Sequence, residues 1–584
     1  MQFVASGTVV RVIASEVGRH HRPTWFTEVG PAPRGRTRKG PWFPRQLPGV
    51  GSRSISGWPE GRSGPFRRPA TPTGGAVGVV PTGTFAPVLL RTGFALLAGA
   101  LLAQAFEPVG LALLLPIGVA GFVLSVRGLP ARRAWIPGLA FGIGFQFVLL
   151  FWMRVVGYEP WVALAGIEAA FYAPLASATV VLLRHRGGPL WFAAAWVAME
   201  TIRSGWPFSG MPWGRLSYAV AGTAWQDALP YVGMAGLSFL LALLGALLAG
   251  VVTGPRRLRA GVAVAGVAAA SVVPTLVPHE LPTVGERTVA VVQGDVPGDG
   301  SDILLDHRQV TRNHVDATVD LADRVEEGGA PRPDFVVWPE NSTAVDPFLA
   351  SDVNAWINEA SAAVQVPILV GAMVDAGTEN VLNQGIVWEP DTGAADRYTK
   401  WHPVPFGEYI PWRDLGLGSI GQLRLIPRDM LGGTRTEPLP VGGTLVADAI
   451  CFDVAYDDGI HAQLRNGGQL LTVQTSNAMF IHTAQIEQQF EISRLRALET
   501  GRHVLVAATN GVSGVIAPDG TVVARAGIRT QDVLVEDVTI ADGLTPAVWA
   551  GSWPGRAAVA LTVLGLVLGL LPYRRRQRSG GVGT

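Results

Sequence analysis

Leu445-Val-Ala-Asp-Ala-Ile-Cys451-Phe-Asp-Val454 holds the single cysteine of a 584-residue chain. A short apolar run of β type delivers the thiol to the start of a more polar turn. A thiol inside a strand is ordinarily a small core hydrophobe, whereas a thiol presented at a strand end is placed to act as a nucleophile. Cys451 alone leaves both readings open. Two other stretches end in the same way: Val336-Val-Trp-Pro-Glu340, and Tyr398-Thr-Lys400-Trp-His-Pro-Val-Pro-Phe-Gly-Glu408. Each begins near a strand-like run and closes on a charged residue followed by turn chemistry. A carboxylate, an ammonium and a thiol on three successive strand ends form a set.

Composition sets the wider frame. Hydrophobic residues make up 48% of the chain and charged residues only 16%. Soluble domains carry about 25% charged residues, so the deficit points to membrane segments. The net charge of +1 gives no reason to expect a nucleic-acid partner. One cysteine excludes an internal disulfide and a Cys-rich zinc site, and no metal-ligand spacing or phosphate-binding loop is present, so no cofactor is expected.

Residues 1–84 are rich in Arg, Pro, Gly and Ser; between Arg11 and Arg68 twelve Lys/Arg face only Glu16, Glu28 and Glu60. Such a segment buries too little apolar surface to offset its ordering entropy, and is expected to be disordered. No apolar region follows its first charges, so it is not a signal peptide; it reads as a basic cytosolic tail or as sequence upstream of the true start. Residues 85–279 alternate apolar runs with short basic loops, with spans expected at 88–106, 109–126, 135–155, 161–183, 189–203, 227–251 and 260–277. Arg127, Arg132 and Arg133, then Arg184 and Arg186, then Arg256, Arg257 and Arg259 follow alternate spans. The positive-inside rule then puts the N-terminus in the cytosol and the chain outside after seven crossings. A C-terminal transmembrane helix within 553–573, followed by the basic tail 574–584, returns the chain to the cytosol.

Residues 286–545 form the one large polar insertion. Strands are expected at Thr288–Gln293, Asp334–Trp338, Val366–Gly371, Leu470–Gln474 and Val504–Thr509, with helices at 353–364 and 484–500 and a hairpin turning at Asp519-Gly520. This alternation argues for an α/β domain, placed outside the cytosol. Lys400 follows Glu340 by 60 positions and Cys451 follows Lys400 by 51, compatible with neighbouring strand ends of one sheet. The chemistry suits acyl transfer: a carboxylate removes the thiol proton, an ammonium stabilises thiolate and then oxyanion, and sulfur attacks a carbonyl. His402 lies too near Lys400 to be given a separate role, and His461, His482 and His503 read as packing or surface residues.

Glu, Lys and Cys in this order and setting resemble the nitrilase, or carbon–nitrogen hydrolase, superfamily. The closer resemblance is to its membrane-embedded branch, the apolipoprotein N-acyltransferases. Gly210-Met-Pro-Trp213-Gly, Val292-Gln-Gly-Asp295, Arg494-Leu-Arg-Ala-Leu-Glu499, Ala508-Thr-Asn510-Gly511 and Gly551-Ser-Trp-Pro554 also carry it, over residues 85–578. The resemblance implies a polytopic α-helical membrane domain joined to an extracytoplasmic α/β domain of nitrilase type, an α-β-β-α sandwich. It implies Glu340 as general base, Lys400 as thiolate and oxyanion stabiliser, Cys451 as nucleophile, and Glu408 as support for Lys400. Asp453 and Asn510 are further supporting candidates. The family often reads Cys-Tyr-Glu where this chain reads Cys451-Phe452-Asp453, so no detailed role follows for position 452.

The implied reaction is ping-pong. Cys451 takes an acyl chain from a membrane phospholipid, and the α-amine of an S-diacylglyceryl cysteine at a lipoprotein N-terminus then takes it from the thioester. The implied location is the bacterial plasma membrane. A membrane-tethered amidase would need only one anchor, so seven preceding spans speak against it; an intact Glu340–Lys400–Cys451 set speaks against a non-catalytic lipoprotein-binding factor. Trp206, Trp213 and Trp225 read as an interfacial aromatic belt. Arg154 and Glu168 lie in or near apolar spans, paired or functional. Phe406–Gly418 and Asn477–Thr483 are the stretches where a lid is expected.

Overall fold

The computed structural model describes residues 2–5, 8–11, 86–253, 257–302, 306–419 and 421–571. The chain divides into two compact units, Met1–Val79 and Val80–Thr584. In the first, Gln2–Ala5 (β1) pairs antiparallel with Thr8–Arg11 (β2); the rest of the segment expected to be disordered, and the tail 574–584, lie outside the described residues.

The second unit begins with Ala86–Ala103 (α1), Leu114–Val126 (α2), Ala131–Leu149 (α3), Tyr158–Ala170 (α4), Tyr172–Leu182 (α5), Gly188–Arg203 (α6), Leu229–Thr253 (α7) and Arg257–Val272 (α8). Seven expected spans thus become eight helices, because 161–183 is divided at Phe171. Pro174 explains the break: it has no N–H to donate, and its ring crowds the carbonyl four residues earlier. Among the described residues, four stretches are long and apolar enough to cross a membrane: Tyr158–Leu182, Gln226–Thr253, Arg257–Leu276 and, at the far end of the chain, Trp553–Leu570. Val88–Ala103 and Leu114–Val126 are apolar but shorter. Glu168 is paired with Arg203 at 2.6 Å inside this layer, both side chains buried. Arg154 instead lies over the Phe151 ring, 3.5 Å from its centroid.

The insertion is a sandwich of two sheets. One runs through Thr283–Gln293 (β3), Phe335–Val337 (β4), Ile368–Ala376 (β5), Asn380–Glu389 (β6), Gly393–Thr399 (β7) and the short Asp429–Met430 (β8). The other uses Leu439–Val441 (β9), Thr444–Ile450 (β10), Leu470–Thr475 (β11), Val504–Ala508 (β12), Gly514–Ile516 (β13) and Val522–Arg525 (β14); Asp532–Ala541 (β15) returns to pair with β3. Side chains alternate across each strand, so one face meets the other sheet and one meets helices. Val289 and Val291 of β3 join Val446 and Ile450 of β10 in the core between the sheets. Ala290 and Val292 face outward into the core made with His307–Glu326 (α9) and Ser351–Val364 (α10). Ala447 and Ala449 face the opposite way, into the large core that includes Ile460 and Leu464 of Asp458–Arg465 (α11) and Leu495 of Gln485–Thr500 (α12) and continues into the membrane-type helices. The order helix, sheet, sheet, helix is the expected α-β-β-α sandwich. Pro546–Ala550 (α13) then leads to Trp553–Leu570 (α14), which packs beside α6.

Candidate active site

Three strand ends supply the site, not neighbours in one sheet as the spacing suggested: β4 and β7 belong to the first sheet, with β5 and β6 between them, and β10 to the second. β4 stops at Val337, and Trp338-Pro339 carries the chain to Glu340, only 3% exposed. Glu340 Oε1 accepts from Asn383 Nδ2 at 2.6 Å and from Lys400 Nζ at 3.3 Å, and Oε2 accepts from the backbone N–H of Ser476 at 2.8 Å. This turn occupies the space left by Gly371 of β5. A Cβ there would stand 2.1 Å from the Pro339 carbonyl oxygen and 2.8 Å from Glu340 Cα. Gly371→Ala is therefore expected to displace Glu340, with about 1–3 kcal/mol lost on overpacking and about 10²-fold lost in activity. Denaturant unfolding together with steady-state rates checks it; wild-type values of both would show that the gap is not needed.

Lys400 follows β7 and is fully buried. Its Nζ also donates to Glu408 Oε1 at 2.6 Å, and Glu408 Oε2 accepts from the Val404 N–H at 2.8 Å. Burial opposes the charge on Lys400, but the carboxylates of Glu340 and Glu408 outweigh it and hold its pKa well above the usual lysine range. Burial raises the carboxyl of Glu408, and the Lys400 ammonium restrains that rise.

Cys451 opens the 3₁₀ turn Cys451–Ala455 directly after β10. Its φ of 52° lies in the left-handed region, a conformation that costs a non-glycine residue about 1–3 kcal/mol and concentrates at functional sites. The residue is half-buried. Burial first, then the Glu340 carboxylate, push the thiol up to about 12, against the pull of Lys400 and a hydrogen bond with Thr475. The surroundings thus favour the neutral thiol, and a base beside it is needed to form the nucleophilic thiolate.

Asp453 ties the Lys400 segment to the nucleophile turn. It accepts the N–H groups of Trp401 at 3.0 Å and His402 at 2.8 Å, and the Tyr398 hydroxyl at 3.0 Å. Asn510 is not brought to the cluster: its Nδ2 donates to the Gly300 carbonyl at 2.8 Å. Its neighbour Thr509 instead touches the site, donating to the Glu340 carbonyl at 3.2 Å. Among the described residues, no group of three or more His, Cys, Asp or Glu is placed to hold a metal ion.

The turn is clamped by the loop between α6 and α7 and by Arg496 of α12. Arg215 Nη1 meets both Asp457 oxygens at 2.9 and 2.8 Å. Arg496 reaches Asp457 Oδ1 at 2.9 Å and the Val454 carbonyl at 2.9 Å. Tyr218 donates to the Ala455 carbonyl at 2.5 Å, and Tyr456 donates to the Gly210 carbonyl at 3.0 Å. Trp213 is buried here, stacked on Phe452 with centroids 6.1 Å apart, and so does not belong to the expected interfacial belt, whereas Trp206 is exposed.

The chain divides between two known domain families along the same line as its structure. Residues 98–247 match the apolipoprotein N-acyltransferase N-terminal domain, and residues 288–543 match the carbon-nitrogen hydrolase domain. Apolipoprotein N-acyltransferase of Mycolicibacterium smegmatis is 34% identical over 79% of this chain and 80% of its own length. The chain belongs to the apolipoprotein N-acyltransferase family. Relatives of that name from Ralstonia nicotianae, 31% identical over 80% of this chain and 89% of their own, and Methylococcus capsulatus, 29% identical over 83% and 96%, extend the match. An amidase from Nesterenkonia sp. is 15% identical over 46% of this chain and 94% of its own, with a TM-score of 0.31, too weak a likeness to bear on the site.

In this member of the family the departure from Cys-Tyr-Glu has a structural meaning. Phe452 makes an apolar contact with Trp213, for which a phenol is not needed, and Asp453 reaches its donors despite the shorter side chain. Several contributors were not legible as site residues: Asn383, Gly371, Thr475, Arg215 and Arg496. Arg215→Ala is expected to cost about 2–4 kcal/mol by leaving a half-buried carboxylate short of a partner and to lower the transfer rate about 10-fold with little change in KM. Arg215→Lys should recover part of both. An unchanged rate in the Ala variant would show that the helical loop does not set the nucleophile's geometry.

Proposed function

We propose that this chain, an acyltransferase of lipoprotein maturation, works through a thioester on Cys451, with Glu340 as base and Lys400 as the oxyanion stabiliser. The observation that carries this reading is the buried Glu340–Lys400–Glu408 cluster together with Cys451 at the left-handed turn that ends β10. The thiol proton passes to Glu340 as sulfur attacks the ester carbonyl of a membrane phospholipid. Negative charge develops on the carbonyl oxygen, where the Lys400 ammonium is already in place and costs no reorganisation. Collapse expels the lysophospholipid alkoxide, which takes the proton back from Glu340 and leaves the acyl group on sulfur. The α-amine of a diacylglyceryl-cysteine N-terminus then attacks the thioester and gives up a proton to Glu340. Cys451 leaves and is reprotonated, and the acceptor carries a new amide.

The packed core shared by the sandwich and the helices supports a catalytic domain seated directly on the membrane-type helices, where lipid-anchored substrates lie. Exclusion of water matters, because hydrolysis competes with the amine for the thioester. The alternation of basic loops supports a plasma-membrane protein with its catalytic domain outside and its N-terminus in the cytosol. Purified protein mixed with a phospholipid of one acyl chain and a diacylglyceryl-cysteine peptide tests the reading. The peptide is expected to gain one acyl mass at its N-terminus. Release of the chain only as free fatty acid, with the peptide unchanged, would make the protein a hydrolase instead.

A further inference from the structure

His402 lies two residues beyond Lys400, outside the cluster that carries the chemistry, yet its surroundings are unusual for an imidazole. Its ring lies flat on the Tyr456 ring, centroids 3.7 Å apart and planes within 1°. Nδ1 stands 3.3 Å from Asp453 Oδ1, and Nε2 stands 3.4 Å from Asp458 Oδ2. These are ionic contacts rather than closed hydrogen bonds, since the buried Nδ1 makes none, and a carboxylate at each end of one ring favours the imidazolium, which carries a proton on each nitrogen. The connections radiate from there. Asp453 holds the N–H groups of Trp401 and His402 and the Tyr398 hydroxyl, so it fixes the backbone just after Lys400 and the side chain two residues before it. Tyr456 carries the contact onward to the carbonyl of Gly210 in the helical loop. Asp458 belongs to α11, beside Asp457, which Arg215 and Arg496 hold.

We propose that His402 is a positioning residue: as the imidazolium it bridges Asp453 and Asp458 and so keeps the Lys400 segment in register with the Cys451 turn. The proposal rests on the thioester reading given above. The titratable and charged groups facing the ring are Asp453 and Tyr456 from the nucleophile turn and Asp458 from α11, while the Lys400 ammonium acts on Asp453 from the far side. Burial disfavours the imidazolium, but the facing carboxylates of Asp453 and Asp458 outweigh it and raise its pKa from 6.5 to about 9. The sign follows from a raised value in the folded state: the bridge is intact at neutral pH and is lost as pH rises through about 9. The thiol, pushed up to about 12, does not titrate in that window.

The test is single-turnover acylation of the full-length protein in detergent by phosphatidylglycerol of one defined acyl chain. Its headgroup titrates nothing between pH 6 and pH 10.5. Acyl-enzyme is read by intact mass against time across that range, with thioester hydrolysis measured in parallel. The wild-type rate is expected to fall about 10-fold or more through a midpoint near pH 9. His402→Gln is expected to be slower already at pH 7 and to show no such limb. His402→Arg, permanently charged, should recover much of the rate at pH 7 and carry it past pH 10. A wild-type profile that stays flat from pH 7 to pH 10 would overturn the proposal even if neither variant folds, and so would a Gln variant with the wild-type rate and limb. No acyl adduct in the wild type at pH 7 is a different failure, which removes the thioester reading and this proposal with it.

Discussion

Cys451→Ala is expected to abolish acyl transfer while leaving the fold intact. The nucleophile is the one group in the cluster with no substitute, and removal of a covalent catalyst of this kind costs about 10⁴–10⁶-fold in turnover. The structural cost is small by comparison. Cys451 is half-buried, and its sulfur fills little of the core between the sheets, so removing it trades a small apolar contact for a methyl group in the same strained turn. Unfolding midpoints within a few degrees of wild type, together with no triacylated peptide above background, would meet the expectation. Residual turnover within 10-fold of wild type in the folded variant would remove the covalent step.

Lys400→Met is the second large effect, and it should differ in kind because it damages stability as well as rate. Methionine fills similar space, but Glu340 and Glu408 then share a buried site with no cation between them. Leaving a buried charge unpaired costs about 3–5 kcal/mol, and losing a preorganised oxyanion stabiliser costs about 10²–10³-fold in rate. The pH dependence follows from Glu408. Burial already raises its carboxyl and Lys400 restrains the rise, so without Lys400 the folded state takes up a proton there more readily than the unfolded chain. A group whose folded pKa is raised loses its stabilising contribution as pH climbs through that pKa. The stability deficit of Lys400→Met should therefore shrink as the pH is lowered from 8 towards 5. Denaturant midpoints at both ends of that range check it. A deficit that grows on acidification would mean that the ammonium is not what balances these carboxylates.

The parts of the site that were legible in the sequence are those whose chemistry is carried by local context. Trp338-Pro339 fixes the direction of Glu340, and a β run fixes the presentation of Cys451; both are short-range effects. The parts that were not legible depend on what the fold brings together. β6 was missed because Asn383, Gln384 and Gly385 interrupt the apolar alternation that marks a strand. They do so because Asn383 turns to Glu340 and Gly385 leaves room for Asp448 and Gln474. Gly371 looks like an ordinary strand glycine until the Pro339 carbonyl is seen pressed against it. Arg215 and Arg496, 281 positions apart in sequence, become partners only through Asp457. The break between α4 and α5 had a visible cause in Pro174, but hydropathy, which sums over a window, is blind to a missing N–H. Asn510 is the reverse case: its sequence neighbourhood suggested a site residue, while its side chain supports the Gly300 loop.

The most direct test of the central claim is the intact mass of the purified wild-type protein after incubation with a phospholipid of one defined acyl chain and no acceptor, before and after hydroxylamine. The expected result is the mass of a single acyl group, mapped to the peptide containing Cys451 and removed by hydroxylamine, as a thioester is. A folded protein that shows no adduct and retains a free thiol, while the complete reaction mixture still yields acylated peptide, would contradict the thioester and require direct transfer between the two lipids.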